Sequence, residues 1–232
     1  MKVLVVGNSV SVRVRPPEDK GQNFTFSNII ESQLSPKASV FTIAESGLMI
    51  NDFAKNPDRL ITAKPDVLIS NFGIVELSSR SINRSLYDFL YYKKVRSKFG
   101  RTFQLMLSII ETKFRIPLVY LRFKRPWYNL SLFIKDYFEL ITRVQRETGT
   151  KFIVLGINLP NSRVEKQLPG SIKRVQKANE IIENKCLELD NVYYIPVDSE
   201  LDHESHFPDG IHYNKLGHEM IADKIKSVIA TF

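Results

Sequence analysis

Two short stretches at opposite ends of the chain hold residues suited to acyl chemistry. Near the start, Gly7-Asn8-Ser9 follows the apolar run Lys2 to Val6. A serine on a glycine turn, ahead of a helix, is placed to act as a nucleophile. The glycine lets the backbone turn sharply and expose N–H groups, as an oxyanion site requires. The same tripeptide also reads as a plain turn with a helix cap. Near the end stands Phe207-Pro208-Asp209-Gly210-Ile211-His212, just before the last helical pattern. An aspartate three residues ahead of a histidine can hold the imidazole through Nδ1 and leave Nε2 free, the pair that serine activation needs. His218 falls inside the last helix as a structural or surface residue, and His203 and His206 lie in a polar loop upstream. No HExxH-type spacing joins these histidines, and a lone Cys186 permits neither a disulfide nor a multi-cysteine site. The expectation is no metal and no cofactor, with Cys186 a small core residue.

These groups must be positioned by the elements between them. Lys2 to Val6, Val40 to Ile43, Asp66 to Phe72, Lys151 to Ile157 and Val192 to Val197 read as strands. Helical patterns cover Phe24 to Leu34, Ile50 to Ala63, Leu132 to Glu147, Ser171 to Leu189 and Asn214 to Ala230. Strands alternating with helices imply an α/β fold with a mainly parallel sheet covered on both faces. With 232 residues the chain suits one domain, 1–232, carrying an insertion at about 77–130. In open α/β sheets ligands bind at the carboxyl ends of the strands. Those ends carry Gly7-Asn8-Ser9, Ser46-Gly47, and Asn71 with Gly73.

The order of these motifs resembles the SGNH/GDSL hydrolases: Gly-Asn-Ser after the first strand, a glycine after the second, a glycine-led motif after the third, and Asp-x-x-His before the last helix. The resemblance spans nearly the whole chain outside the insertion. It implies a three-layer α/β/α sandwich with a flavodoxin-like parallel sheet and a serine esterase or O-acyltransferase activity. Ser9 matches the nucleophile and one oxyanion donor, Gly47 the second donor, and Asp209 and His212 the acid and base. Its substrates would be small-molecule or glycan esters. Two positions depart from the pattern. Asn8 stands where the family usually has Asp, and Val75, in Gly73-Ile74-Val75-Glu76, stands where an oxyanion asparagine is usual. A valine cannot donate, and one missing donor elsewhere costs about 10²–10³ in rate. Asn71, Arg13 and Arg15 are candidate substitutes. A scaffold that has lost catalysis, holding an anionic glycan or lipid headgroup, is the alternative. Arg13 and Arg15 also read as groups for a substrate carboxylate or phosphate, or as solvated surface arginines. Glu76 reads as a hydrogen-bond acceptor in the turn after the third strand.

Charge is unevenly spread. Between Leu77 and Leu130 stand twelve basic and two acidic residues, a net +10 in a chain whose total is +8. The segment is also rich in aromatics, and Phe103, Leu107 and Ile110 repeat at helical offsets. It reads as a helical lid over the site, as an element for an anionic membrane surface, or as an ordinary helical insertion with a small core of its own. Without a recognised motif or stacking platform, nucleic acid is disfavoured. No apolar stretch is long enough to span a bilayer and no export signal is visible, so the expected location is cytoplasmic, with peripheral membrane attachment through this segment.

Overall fold

The computed structural model describes residues 1–16, 24–197 and 201–232, without the side chains of residues 203 and 204. In chain order the elements are β1 (Lys2–Gly7), α1 (Ser9–Val12), α2 (Phe26–Leu34), β2 (Ser39–Ala44), α3 (Ile50–Ala54), α4 (Asp58–Ala63), β3 (Val67–Asn71) and α5 (Ile74–Leu77). Then come α6 (Arg84–Tyr91), α7 (Lys98–Lys113), α8 (Arg115–Leu121), α9 (Leu130–Thr148), β4 (Lys151–Leu155), α10 (Ser162–Gln167), α11 (Ser171–Leu187), β5 (Val192–Ile195), α12 (His203–His206) and α13 (Lys215–Ile229).

The five strands form one parallel sheet in the order β2-β1-β3-β4-β5. β1 and β3 lie inside it, and their apolar runs are buried, as two covered faces require. β2 is an edge strand and leaves Phe41 half exposed. Helices α2 and α13 pack on each other, while α9 packs on α3, α4 and α11. The result is the expected three-layer α/β/α sandwich of flavodoxin-like order. From β1 the chain passes first to β2 on one side and then to β3 on the other. The crevice at that reversal, outside the carboxyl ends of β1 and β3, is where such sheets bind ligands.

Four short helices, α1, α5, α10 and α12, escaped the periodicity, which needs several turns to show. The helical pattern from Ile50 to Ala63 is two helices, broken at Pro57, whose ring and missing N–H disrupt an interior turn. α9 buries Phe133, Ile134, Tyr137, Leu140, Ile141 and Val144 as one stripe and ends at Gly149 with φ +73°. Cys186 is buried in α11, and its thiol is pushed up to about 12, chiefly by burial. The +10 segment holds three helices, α6 to α8. Its base is closed by the Ser79–Pro126 bridge, by Arg80 N–H to the Arg125 carbonyl (3.1 Å), and by Trp127 Nε1–H to the Ile82 carbonyl (2.9 Å).

Candidate active site

β1 delivers Ser9 to the crevice. A Cβ on Gly7 would lie 2.3 Å from Ser11 Oγ and 3.0 Å from the Asn71 carbonyl, so only glycine allows this approach. Asn8 is fully buried, and its Oδ1 accepts from Val10 N–H (3.1 Å), capping α1. The bland reading of Gly-Asn-Ser as a cap is thus correct for Asn8, while it leaves Ser9 as the first residue of α1 with its hydroxyl in the crevice.

The loop before α13 delivers the histidine. Asp209 Oδ1 accepts from the N–H groups of Ile211 (3.0 Å) and His212 (2.8 Å), a local turn that fixes both side chains. Gly210 sits at φ +84°, a conformation L side chains rarely adopt. Tyr213, fully buried, donates its hydroxyl to Asn158 Oδ1 (2.7 Å), and Asn158 Nδ2 donates to the Ile211 carbonyl (2.8 Å). On this platform His212 Nδ1 lies 2.8 Å from Asp209 Oδ2, and His212 Nε2 lies 2.9 Å from Ser9 Oγ. A carboxylate can only accept, so Nδ1 carries the proton and Nε2 is left to accept the Ser9 hydroxyl proton. Burial opposes ionisation of Asp209, but the His212 ring and the N–H groups of His212 and Ile211 outweigh it and hold the carboxyl well below its usual range.

The remaining sequence candidates separate. Gly47 and Arg13 line the same cavity, about 250 Å³, as Ser9 and His212. Asn71 and Gly73 do not line it. Asn71 is buried at the end of β3, and Gly73 N–H is taken by Glu76 Oε2 (2.9 Å). Arg15 Nε instead approaches Asp209 Oδ2 (3.4 Å), behind the histidine. Val75 lines the cavity, and its side chain has only methyl groups to offer.

Several groups here were not read as site residues. Glu76, as expected, accepts in its own turn, but its other oxygen reaches Ile50 N–H (2.8 Å) and so ties the loop after β3 to the segment following Gly47. It is fully buried, and burial pushes its carboxyl up to about 7. Arg84 Nη1 holds the Gly47 carbonyl (2.9 Å), and the Tyr92 hydroxyl holds that of Ser46 (3.3 Å). Tyr87, Tyr92 and Trp127 bring the +10 segment to the cavity wall. Arg80 lies 4.0 Å from the Trp127 ring centre and donates to the Val75 carbonyl (2.6 Å). No carboxylate lies within 4.0 Å of its guanidinium among the described residues, and burial lowers it to about 10. The cavity is therefore lined by two arginines, Arg13 and Arg80, and by no acidic residue among those described.

His218 proves structural. Fully buried, it accepts Phe26 N–H on Nδ1 (3.2 Å) and donates from Nε2 to the Arg13 carbonyl (3.2 Å), clamping the Arg13 segment to α2 and α13. His206 is also buried, its Nδ1 accepting Asp202 N–H (3.0 Å). The side chain of His203 lies outside the described residues. Burial lowers the His218 ring from 6.5 to about 4. A depressed value means stability is full above 6.5 and is lost as pH falls toward 4. Wild type should lose about 2–3 kcal/mol more than His218→Asn between pH 7 and 4.5, measured by urea unfolding. Equal losses would contradict the buried neutral ring.

No described residues form a His, Cys, Asp or Glu cluster able to hold a metal. No family model matches the chain. No curated protein matches it either. Solved structures do. A GDSL-like lipase from Bacteroides thetaiotaomicron aligns with TM-score 0.60 at 12% identity, covering 99% of this chain and 88% of the other. An acetyl xylan esterase aligns with TM-score 0.62 at 14% identity, covering 99% and 100%. A catalytic mutant of an acetylxylan esterase from Geobacillus stearothermophilus aligns with TM-score 0.58 at 14% identity, covering 96% and 90%. The chain has the SGNH/GDSL hydrolase fold.

Proposed function

We propose that this chain is a serine esterase that deacylates a carbohydrate ester through an acyl-Ser9 intermediate. The observation that carries the reading is the continuous hydrogen-bonded line from Asp209 through His212 to Ser9 at the ligand-binding crevice. His212 Nε2 takes the Ser9 proton as Oγ adds to the ester carbonyl carbon. The tetrahedral species collapses, the C–O bond to the alcohol breaks, and His212 returns the proton to the departing oxygen. Water then adds to the acyl group by the same route and releases the acid and free Ser9.

The developing oxyanion would be met by the N–H groups of Ser9 and Gly47. Ser9 opens α1, and the first N–H groups of a helix have no acceptor within it. Of Asn71, Arg13 and Arg15, Arg13 is the one at the cavity wall, so it is the best substitute for the donor Val75 lacks. If a sugar hydroxyl replaces water, the same acyl-enzyme makes the protein an O-acyltransferase. Val75 also favours a second reading, a weakened scaffold that binds an anionic glycan or lipid headgroup without turnover. In each case we take residues 1–232 as one domain of this fold with an insertion at about 77–130.

The aromatic wall of Tyr87, Tyr92 and Trp127 suits stacking against a sugar ring, and Arg13 and Arg80 without a facing acid suit a sugar that carries a carboxylate or phosphate. The test is acetate release from a methyl O-acetyl-glucuronide and from its neutral glucoside counterpart. Wild type should favour the charged ester by about tenfold in kcat/KM, and Arg80→Met should erase most of that preference. Turnover of both esters at one rate would remove the anionic substrate. Tight binding of the glucuronide with no acetate released and none transferred would favour the non-catalytic scaffold.

A further inference from the structure

α7 is amphipathic in the wrong direction for a helix that serves its own core. Its inward stripe is largely polar: Gln104 Nε2 donates to the Lys93 carbonyl (3.0 Å), and Glu111, buried, accepts from Ser81 Oγ (2.5 Å), Tyr91 Oη (2.8 Å) and Arg115 Nε (3.0 Å). Its outward side is apolar. Phe99 is 84% exposed and Leu105 61%, with Met106 and Ile109 beside them, and the end of α8 adds Leu121 at 74% and Phe123 at 81%. Single exposed apolar residues are ordinary, whereas a run of them on adjoining helices marks an interaction surface.

Charge identifies the occupant. The only acidic residues between Leu77 and Leu130 are Asp88 and Glu111, and both are engaged internally, Asp88 by Arg84 (2.9 Å) and Glu111 by Arg115. Lys93, Lys94 and Arg96, in the connection that leads into α7, and Lys98, Arg101 and Lys113, on α7 itself, are exposed. A second copy would bring the same uncompensated positive charge against itself. No helix among the described residues is long and apolar enough to cross a membrane. Exposed apolar side chains together with exposed lysines and arginines, on and next to helices too polar to span, match the surface of an anionic bilayer, where apolar groups enter the acyl boundary and cations meet headgroups.

We propose that α7 and α8 dock this protein peripherally on an anionic lipid surface. The inference is independent of the esterase reading, since it uses neither Ser9 nor the cavity. The experiment is co-sedimentation of the full chain with vesicles of phosphatidylcholine alone and of phosphatidylcholine with one quarter phosphatidylglycerol. Binding to the anionic vesicles should exceed binding to the neutral ones by about tenfold and weaken as salt is raised. Phe99→Ser, Leu121→Ser and Phe123→Ser combined should reduce binding by at least about tenfold, and these positions are exposed enough that folding is kept. Lys93→Gln, Lys94→Gln and Arg96→Gln combined should abolish the preference for anionic vesicles while leaving the helices intact. Failure to sediment with either vesicle would overturn the proposal. So would sedimentation velocity showing a dimer that the triple serine variant dissolves, because the face would then belong to a second copy.

Discussion

His212→Ala is expected to lower kcat/KM for 4-nitrophenyl acetate by about 10³- to 10⁵-fold while the protein still folds. The ring is mostly buried and bonded at both nitrogens but lies outside the apolar core, so its loss costs the fold something and the chemistry far more. Its chemical loss is large because Ser9 Oγ then has no acceptor for its proton. Residual activity should remain, since backbone donors and substrate binding survive the change. Ser9→Ala should fall to the same floor, and the double variant no further, because residues acting as a unit are not additive. Asp209→Asn should cost nearly as much. An amide facing His212 Nδ1 can donate and invert the tautomer, and the turn held by Asp209 Oδ1 gives it a second reason to fail. Equal rates in wild type and His212→Ala would remove the imidazole from the reaction.

Glu76→Ala is the second large effect, and it acts on the frame. The Glu76 carboxylate receives Gly73 N–H and Ile50 N–H in a fully buried position, binding the loops that follow β3 and β2. Truncation strands two buried donors at about 1–3 kcal/mol each, so a total loss of about 2–6 kcal/mol is expected in urea unfolding. Glu76→Gln, which can still accept one of the two, should lose less. The pH profile distinguishes this residue from a simple packing defect. Burial raises its carboxyl from 4.5 to about 7, so its stabilising contribution is full below 4.5 and is lost as pH rises through 7. His218 works in the opposite sense and only below 6.5. Above that, wild type should lose about 1 kcal/mol more than Glu76→Gln between pH 6.5 and 8. Parallel profiles would show that Glu76 does not titrate there.

The parts of this molecule legible in its sequence are those fixed by local pattern. Buried parallel strands read as short apolar runs, and short polar motifs stand after the first of them and before the last helix, so Ser9, Asp209 and His212 could be named as candidates before their distances were known. What escaped depended on partners far along the chain. Arg15 looked like a substrate group, yet it lies against Asp209, 194 positions away. Arg84 and Tyr92 looked like charge and bulk in an insertion, and they hold the Gly47 loop. The instructive case is α7. Periodicity located the helix through Phe103, Leu107 and Ile110 and left open whether that stripe served a small core or an outside surface; Phe103 and Ile110 are exposed. Spacing tells which residues share a face; whether that face meets the protein or something outside it is decided by tertiary contacts.

Labelling with a fluorophosphonate bears most directly on the activated serine. Wild type should yield one covalent adduct, mapped by mass spectrometry to the peptide containing Ser9, lost in Ser9→Ala and slowed at least about 10³-fold in His212→Ala. Ester hydrolysis without an adduct at Ser9, or an adduct that forms as fast without His212, would contradict the account.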